Sequence, residues 1–180
     1  MEAVKYNDMQ LVKRRFFAMR NGIIADTLRS AGSPFKIIFG LNLPQIIDIA
    51  SQTPHTIELA EQLWANTTTR ESRLLAPMLY PLEQFDIDTA RRWAATVETS
   101  EVADILCHRL LRHCPFATEL AKELSESAAT ALETYTALRL AFNIVTAAPE
   151  TALEIAGKLH THPLARAVAE EANFILETKH

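Results

Sequence analysis

Apolar residues recur every three or four positions along almost the whole chain, and capping or turn residues separate these stretches. This spacing is typical of amphipathic α-helices, so the pattern predicts a succession of helices joined by short turns. The predicted helices span residues 9–20, 23–29, 56–66, 70–80, 100–113, 116–124, 128–147, 149–159 and 163–176, with two more beginning at Pro44 and at Asp86 or Asp88. Pro77 predicts a kink or an early end, and Ser100 is the expected cap of the helix that contains Glu101.

Helix–turn–helix units begin at Asp86, Pro115 and Pro149, and these starting points are 29 and 34 residues apart. Repeats of this length are typical of α-solenoids, in which helix pairs stack because one pair alone cannot bury its apolar face. The predicted fold is therefore all-α, with antiparallel helix pairs forming an α-solenoid that has a concave surface. A single irregular helical bundle is the alternative that the same pattern allows.

The composition favours an all-α chain, because 4 glycines and 8 prolines in 180 residues leave little material for the tight turns of a β-sandwich. With 48% hydrophobic and 22% charged residues, the chain is expected to form one domain over residues 1–180. It has no apolar run of the roughly 18–20 residues that cross a membrane, and its N-terminus lacks the apolar core of a signal peptide. We therefore predict a cytoplasmic protein.

The formal charge of −4 excludes a polycation that would bind nucleic acid indiscriminately. The charge is unevenly distributed, since residues 1–40 carry a net charge of +4 and residues 41–180 a net charge of −8. Any DNA-binding role must therefore use a local basic patch. The run from Lys13 through Arg14 to Arg15 is one candidate DNA contact, and a solvated helix face is the alternative interpretation.

Cys107 and Cys114 lie seven residues apart, and His108 and His113 lie between them. On one helix the two thiols would be about 10.5 Å apart along the axis, which is too far for both to bind one metal ion. The two histidines would point to nearly opposite sides of such a helix. We therefore expect two reduced cysteines in the core, with no metal and no cofactor.

The motifs of the common nucleotide-binding and hydrolytic enzymes are absent. Two polar features remain as candidates for a functional site. Asp104 is followed by His108 and Arg112 at intervals of four residues, so the three share one helix face, for which a solvated surface is the simpler interpretation. Arg139 lies within a strongly apolar helix, so its guanidinium needs a carboxylate or an anionic ligand. Glu133 is one local candidate partner, and a bound ligand is the other.

Several short segments then follow one another in a recognisable order. They are residues 39–44 (FGLNLP), 46–50 (IIDIA), 58–64 (ELAEQLW), 71–76 (ESRLLA) and 102–108 (VADILCH). Their order and spacing resemble the AlkD-type DNA alkylation repair family over about residues 10–147. Members of that family are HEAT-like helical repeat glycosylases that excise N3- and N7-alkylated purines, so the resemblance implies this fold and this activity.

The resemblance also implies roles for two residues. The family's catalytic aspartate corresponds to Asp104, and an arginine that contacts the DNA backbone corresponds to Arg139. An alkylated purine is cationic and leaves easily, so a carboxylate near the sugar can stabilise the oxocarbenium-like transition state and orient water. The family does this without flipping the base out of the duplex, unlike most glycosylases.

The sequence departs from the family pattern at the site itself. The family has a tryptophan four residues before the catalytic aspartate, where this chain has Ser100, so the aromatic face that would hold the cationic base is missing. No tryptophan follows Trp93, although the family has a second one in later helices. The segment after residue 44 is usually basic but reads QIIDIAS here, and the sequence ends at His180, earlier than the resemblance leads us to expect.

Two functional hypotheses follow. The first is a glycosylase that holds duplex DNA on its concave face, with Asp104 stabilising the sugar cation and Arg139 gripping a phosphate. The further candidate DNA contacts are Ser100, His108, Arg112, Lys13 and Arg14. The second is a non-catalytic HEAT-like module that binds DNA weakly or binds a protein partner, which the negative net charge and the serine in place of tryptophan favour.

Overall fold

The computed structural model describes residues 6–178, and this part of the chain contains eleven α-helices and no β-strand. The helices are α1 (Asp8–Ala18), α2 (Gly22–Ser30), α3 (Leu43–Ser51), α4 (Ile57–Ala65), α5 (Arg70–Leu79), α6 (Ile87–Ala94), α7 (Ser100–Arg109), α8 (Ala117–Ser127), α9 (Ala131–Ile144), α10 (Pro149–Lys158) and α11 (Pro163–Thr178). Single 3₁₀ turns cover Leu82–Gln84 and Leu111–His113. None of these helices is long and apolar enough to cross a membrane. The predicted all-α class is confirmed.

Local sequence explains where the helices begin. The side chain of Asp86 accepts the backbone N–H of Thr89 and caps α6, as predicted. The prediction that Ser100 caps α7 is wrong by one residue. Thr99 has the extended backbone of a cap residue, and its hydroxyl accepts the Val102 N–H at 3.2 Å. Ser100 is therefore the first residue of the helix.

Helices α5 and α7 end before the positions that the sequence predicts. Helix α5 continues through Pro77 and ends at Leu79, one residue before the end of the predicted helix, so Pro77 does not end it early. Helix α7 ends at Arg109 rather than at residue 113, because Leu110 leaves the helical conformation and a 3₁₀ turn follows. The residues after Arg109 therefore do not continue the face that the helical pattern assigns to them.

Contacts between helices group the described residues into two compact units, with the division between Gln84 and Phe85. In the first unit α4 packs against α5, α5 also packs against α3, and α1 packs against α4. Its largest fully buried apolar side chains are Phe16, Leu41, Ile46, Ile49, Leu63, Leu74, Leu75 and Leu79. The expectation of one domain over residues 1–180 stays a prediction.

The first unit also buries charged side chains of α5. Glu71 is fully buried, and its carboxylate accepts the backbone N–H groups of Phe39, Gly40 and Leu41 at 2.9–3.4 Å. Arg70 Nη1 donates to the Leu41 carbonyl at 3.0 Å and to Glu71 Oε1 at 2.9 Å. Gly40 has a φ of +79° and touches the backbone that leads into α2, so a side chain would not fit there. These contacts fix the loop that precedes α3.

In the second unit α8 packs against α9, and α10 packs against α11, so the last two predicted helix pairs are present as pairs. Alternate helices also pack together: α8 contacts both α6 and α10, and α9 contacts both α7 and α11. This arrangement is compatible with the stacked pairs of an α-solenoid. The fully buried Trp93 anchors α6, and the Phe85 ring meets it edge-on with the ring centres 5.4 Å apart.

Candidate active site

Asp104 of α7 meets two side chains of α9 where these helices pack together. The Tyr135 hydroxyl donates a hydrogen bond to Asp104 Oδ1 at 2.7 Å. Arg139 Nε lies 2.7 Å from the same oxygen and forms an ion pair with it, although its N–H bond does not point at the oxygen. Because Tyr135 and Arg139 are four residues apart, one turn of α9 presents both side chains to the same carboxylate.

The two oxygens of the Asp104 carboxylate have different surroundings. Oδ1 accepts the Tyr135 hydrogen bond and is the oxygen 2.7 Å from Arg139 Nε, whereas Oδ2 accepts no hydrogen bond from any residue between positions 6 and 178. The side chain of Asp104 is 37% exposed and that of Arg139 is 31% exposed. The carboxylate is therefore held by a hydrogen bond at one oxygen, while the other has unused capacity to accept hydrogen bonds.

Arg139 has the carboxylate partner that its apolar helix requires, but this partner is not Glu133. The Glu133 carboxylate accepts the backbone N–H groups of Ala129 and Thr130 at 2.8 and 2.9 Å and completes the capping box of α9. Glu133 also lies six residues before Arg139, a spacing that places the two on different helix faces. The alternative of a local pair with Glu133 is therefore wrong, and Arg139 is half-buried rather than largely buried.

A second set of contacts lies one turn further along both helices. His108 Nδ1 is 3.1 Å from Asn143 Oδ1, and Asn143 Nδ2 donates to the Arg139 carbonyl at 2.7 Å. The Asn143 oxygen can only accept, so a hydrogen bond to it requires a proton on Nδ1 of His108, whereas a hydrogen bond from Arg112 requires this nitrogen to be unprotonated. Arg112 Nη1 lies 3.3 Å from the same nitrogen. Asp104 and His108 of α7 thus lie beside a stripe on α9 that consists of Tyr135, Arg139 and Asn143.

His113 does not lie opposite His108, contrary to the prediction. Because α7 ends at Arg109, the following 3₁₀ turn brings His113 Nε2 within 3.2 Å of Arg112 Nε, and the same guanidinium also approaches His108. Burial, and then the positive charge of Arg112, lower the pKa of His113. A neutral His113 can accept the Arg112 N–H, so the two imidazoles flank one guanidinium.

The other residues that were predicted to contact DNA lie on two helices, α7 and α1. Ser100 is exposed in the first turn of α7, four residues before Asp104. Lys13 and Arg14 are exposed on α1 in the first unit, where the Arg14 guanidinium carbon lies 4.3 Å from the centre of the Tyr6 ring. Of the predicted site residues in the second unit, four contact one another directly or through Asn143: Asp104, His108, Arg112 and Arg139.

Cys107 and Cys114 are free and buried, which confirms the expectation of reduced core cysteines. The Cys107 thiol donates to the Thr136 carbonyl at 3.7 Å, on the buried side of the α7–α9 contact. Burial raises the pKa of Cys107 far above its usual value and that of Cys114 to about 11, so neither is a thiolate nucleophile at neutral pH. Across positions 6–178, His, Cys, Asp and Glu side chains form no group of three or more that could hold a metal ion.

Sequence reasoning did not find Tyr135, although a signal was available. Tyr135 lies four residues before Arg139 and therefore on the same face of α9. Burial, followed by the hydrogen bond and the negative charge of Asp104, raises the pKa of Tyr135 to about 12. The His162 ring meets the Tyr135 ring with the centres 6.0 Å apart. The phenol is therefore protonated, and able to donate, throughout the neutral pH range.

Asp104→Asn is expected to lower the pKa of Tyr135 from about 12 toward its ordinary value, because the negative charge beside the phenol is lost. The pKa should stay above the ordinary value, since burial is the largest cause and remains. Because the pKa of Tyr135 is raised in the folded state, the protonated phenol stabilises the fold at neutral pH, and this stabilisation is lost as the pH rises toward 12. Ultraviolet absorbance of tyrosinate measures the titration, with Tyr135→Phe identifying the phenol. An unchanged midpoint would argue against the hydrogen bond.

The family model described as DNA alkylation repair enzyme matches residues 12–167, which is most of the sequence. The comparisons with curated proteins and with solved structures gave no match. The matched range includes all of α7 and α9 and therefore the complete Asp104 site. On this match, the chain belongs to the DNA alkylation repair enzyme family.

Proposed function

We propose that this protein is a DNA glycosylase that releases N3- and N7-alkylated purines from duplex DNA. Membership of a DNA alkylation repair family supports a role in DNA repair. The observation that supports this activity is the Asp104 carboxylate, which is anchored through Oδ1 and whose Oδ2 accepts no hydrogen bond from residues 6–178. A fixed, partly exposed carboxylate oxygen is the group that a developing sugar cation requires.

The chemistry needs a single anionic group and a water molecule. Alkylation places a positive charge on the purine, so the bond between C1′ and the base nitrogen breaks with its electron pair returning to the ring. The charge that develops on the sugar is stabilised by Asp104 Oδ2, which also orients water for addition to C1′. The added water loses one proton, and the products are a neutral alkylpurine and an abasic site.

Arg139 would supply the contact with the DNA backbone. Its Nε lies 2.7 Å from Asp104 Oδ1, while its two Nη groups form no hydrogen bond with any residue in the described range. A partly exposed guanidinium with unused donors fits a phosphate, which accepts two parallel hydrogen bonds. The further contacts in this proposal are Ser100, His108, Arg112, Lys13 and Arg14, all of which are exposed.

Single-turnover release of 7-methylguanine from a methylated duplex tests the proposal, with undamaged duplex as the binding control. We expect the wild-type chain to release the base and to bind both duplexes, with affinity that falls as salt rises because phosphate contacts displace counterions. Binding without release would contradict the glycosylase and leave a DNA-binding role. Absence of both at low salt would contradict a role on DNA altogether.

A second candidate function, a non-catalytic module, is favoured by one observation. Ser100 is exposed one turn before Asp104, so α7 offers no aromatic face there to a cationic base. Such a module would bind duplex DNA weakly or bind a protein partner. It predicts that the affinity for methylated and undamaged duplex is the same and that no base is released at any enzyme concentration.

A further inference from the structure

We propose that Tyr135 is a positioning residue that keeps the Asp104 carboxylate oriented while Arg139 is drawn to a DNA phosphate. This inference rests on the proposed function, in which Arg139 contacts the backbone. In the free protein both side chains hold the same oxygen, Oδ1, at 2.7 Å.

The two contacts respond differently to a phosphate. Arg139 is a cation, so a phosphate competes with Asp104 for its charge and weakens the ion pair. Tyr135 is uncharged and already donates its single hydroxyl proton to Oδ1, so a phosphate does not attract it as it attracts Arg139. When a DNA backbone approaches, the ion pair between Asp104 and Arg139 is therefore weakened, while the hydrogen bond from Tyr135 is kept.

The packing of α9 also distinguishes the two side chains. Tyr135 precedes the buried Thr136, its ring is packed against His162, and only two torsions separate its hydroxyl from the helix. Arg139 has a longer, flexible side chain that is 31% exposed. The position of the hydroxyl is thus set by the fold, whereas the guanidinium can shift toward a ligand. Tyr135 is the contact that can fix which oxygen of Asp104 faces the substrate.

Tyr135→Phe removes the hydroxyl and keeps the ring, so it isolates this contact. We expect the single-turnover rate of 7-methylguanine release at saturating enzyme to fall about tenfold or more, because a misoriented catalytic group loses its alignment. Duplex affinity should change by less than about twofold, since no phosphate contact is lost, whereas Arg139→Gln should weaken affinity and reduce its salt dependence. Tyr6→Phe is the matched control, because the Tyr6 hydroxyl forms no hydrogen bond in the described part of the chain.

An unchanged rate in Tyr135→Phe would overturn the proposal. A parallel loss of affinity would also overturn it, because Tyr135 would then be a DNA contact. If the wild-type chain releases no base, the proposed function fails, and a measurement on the free protein still tests the hydrogen bond on which the inference depends. NMR of tyrosine labelled with carbon-13 at Cζ reports whether the Tyr135 hydroxyl donates at neutral pH, with Asp104→Asn as the reference for a weakened bond.

In Arg139→Gln, the Tyr135 Cζ resonance is expected to stay at its wild-type position, because the hydroxyl holds Oδ1 without help from the guanidinium. A shift to the position seen in Asp104→Asn would show that the hydrogen bond depends on Arg139, and the proposal would be wrong. The Tyr6 resonance serves as the internal standard and should be the same in all variants. This test needs no DNA, so its result is independent of whether the protein is a glycosylase.

Discussion

Asp104→Asn is expected to reduce the single-turnover rate of 7-methylguanine release by about 100-fold or more, in line with the loss of one preorganised electrostatic group from a transition state. Asparagine has nearly the same size and can still accept the Tyr135 hydrogen bond through its amide oxygen. The substitution therefore removes the negative charge at Oδ2 while changing the packing of α7 and α9 very little. The rate is measured with enzyme in excess over methylated duplex.

Duplex affinity should be retained or slightly increased in Asp104→Asn, because a negative charge near the DNA is removed and Arg139 is released from its ion pair. Stability should change by less than about 1 kcal/mol, since the ion pair is partly exposed and screened by solvent. Asp88→Asn is the matched control, because Asp88 is an exposed aspartate of α6 that pairs with Arg91. A variant that releases the base at the wild-type rate would exclude Asp104 as the catalytic residue.

Helical periodicity and capping residues were sufficient to predict the fold class and most of the helices. The bounds of α10 were predicted to within one residue, because Pro149 marks its beginning and the apolar pattern stops after Leu159, which is the C-terminal cap. The end of α7 was not predicted. Leu110 continues the apolar pattern of the helix and is buried, yet its backbone is not helical.

The candidate site was predictable only in part. The local pattern and the family resemblance both pointed to Asp104 and Arg139, but neither could show that one oxygen has two partners. Tyr135 and Asp104 are 31 residues apart, so their hydrogen bond exists only because α7 and α9 are neighbours. Glu71 was missed as a buried group for the same reason, since its partners lie in a loop 30–32 residues earlier.

Glu71→Gln is expected to lower the free energy of unfolding by about 3–5 kcal/mol, the range observed when one member of a buried ion pair is removed. The carboxylate is fully buried and holds two sides of the loop, with Oε2 accepting from Phe39 and Oε1 accepting from Gly40. An amide has one acceptor and one donor in place of two acceptors. Either orientation of the glutamine therefore places its NH₂ group against a backbone N–H that it cannot satisfy.

Arg70 increases the cost of this substitution. Its Nη1 donates to Glu71 Oε1 and to the Leu41 carbonyl, and its side chain is only 6% exposed, so the guanidinium cannot turn to solvent when the carboxylate is lost. Urea denaturation followed by circular dichroism gives the change in stability, with Glu83→Gln, an exposed glutamate of the same unit, as the control. Hydrogen exchange supplies the local readout. The N–H groups of Phe39 and Gly40 should exchange faster in Glu71→Gln, and unchanged protection at both would mean that the loop before α3 is held by its backbone alone.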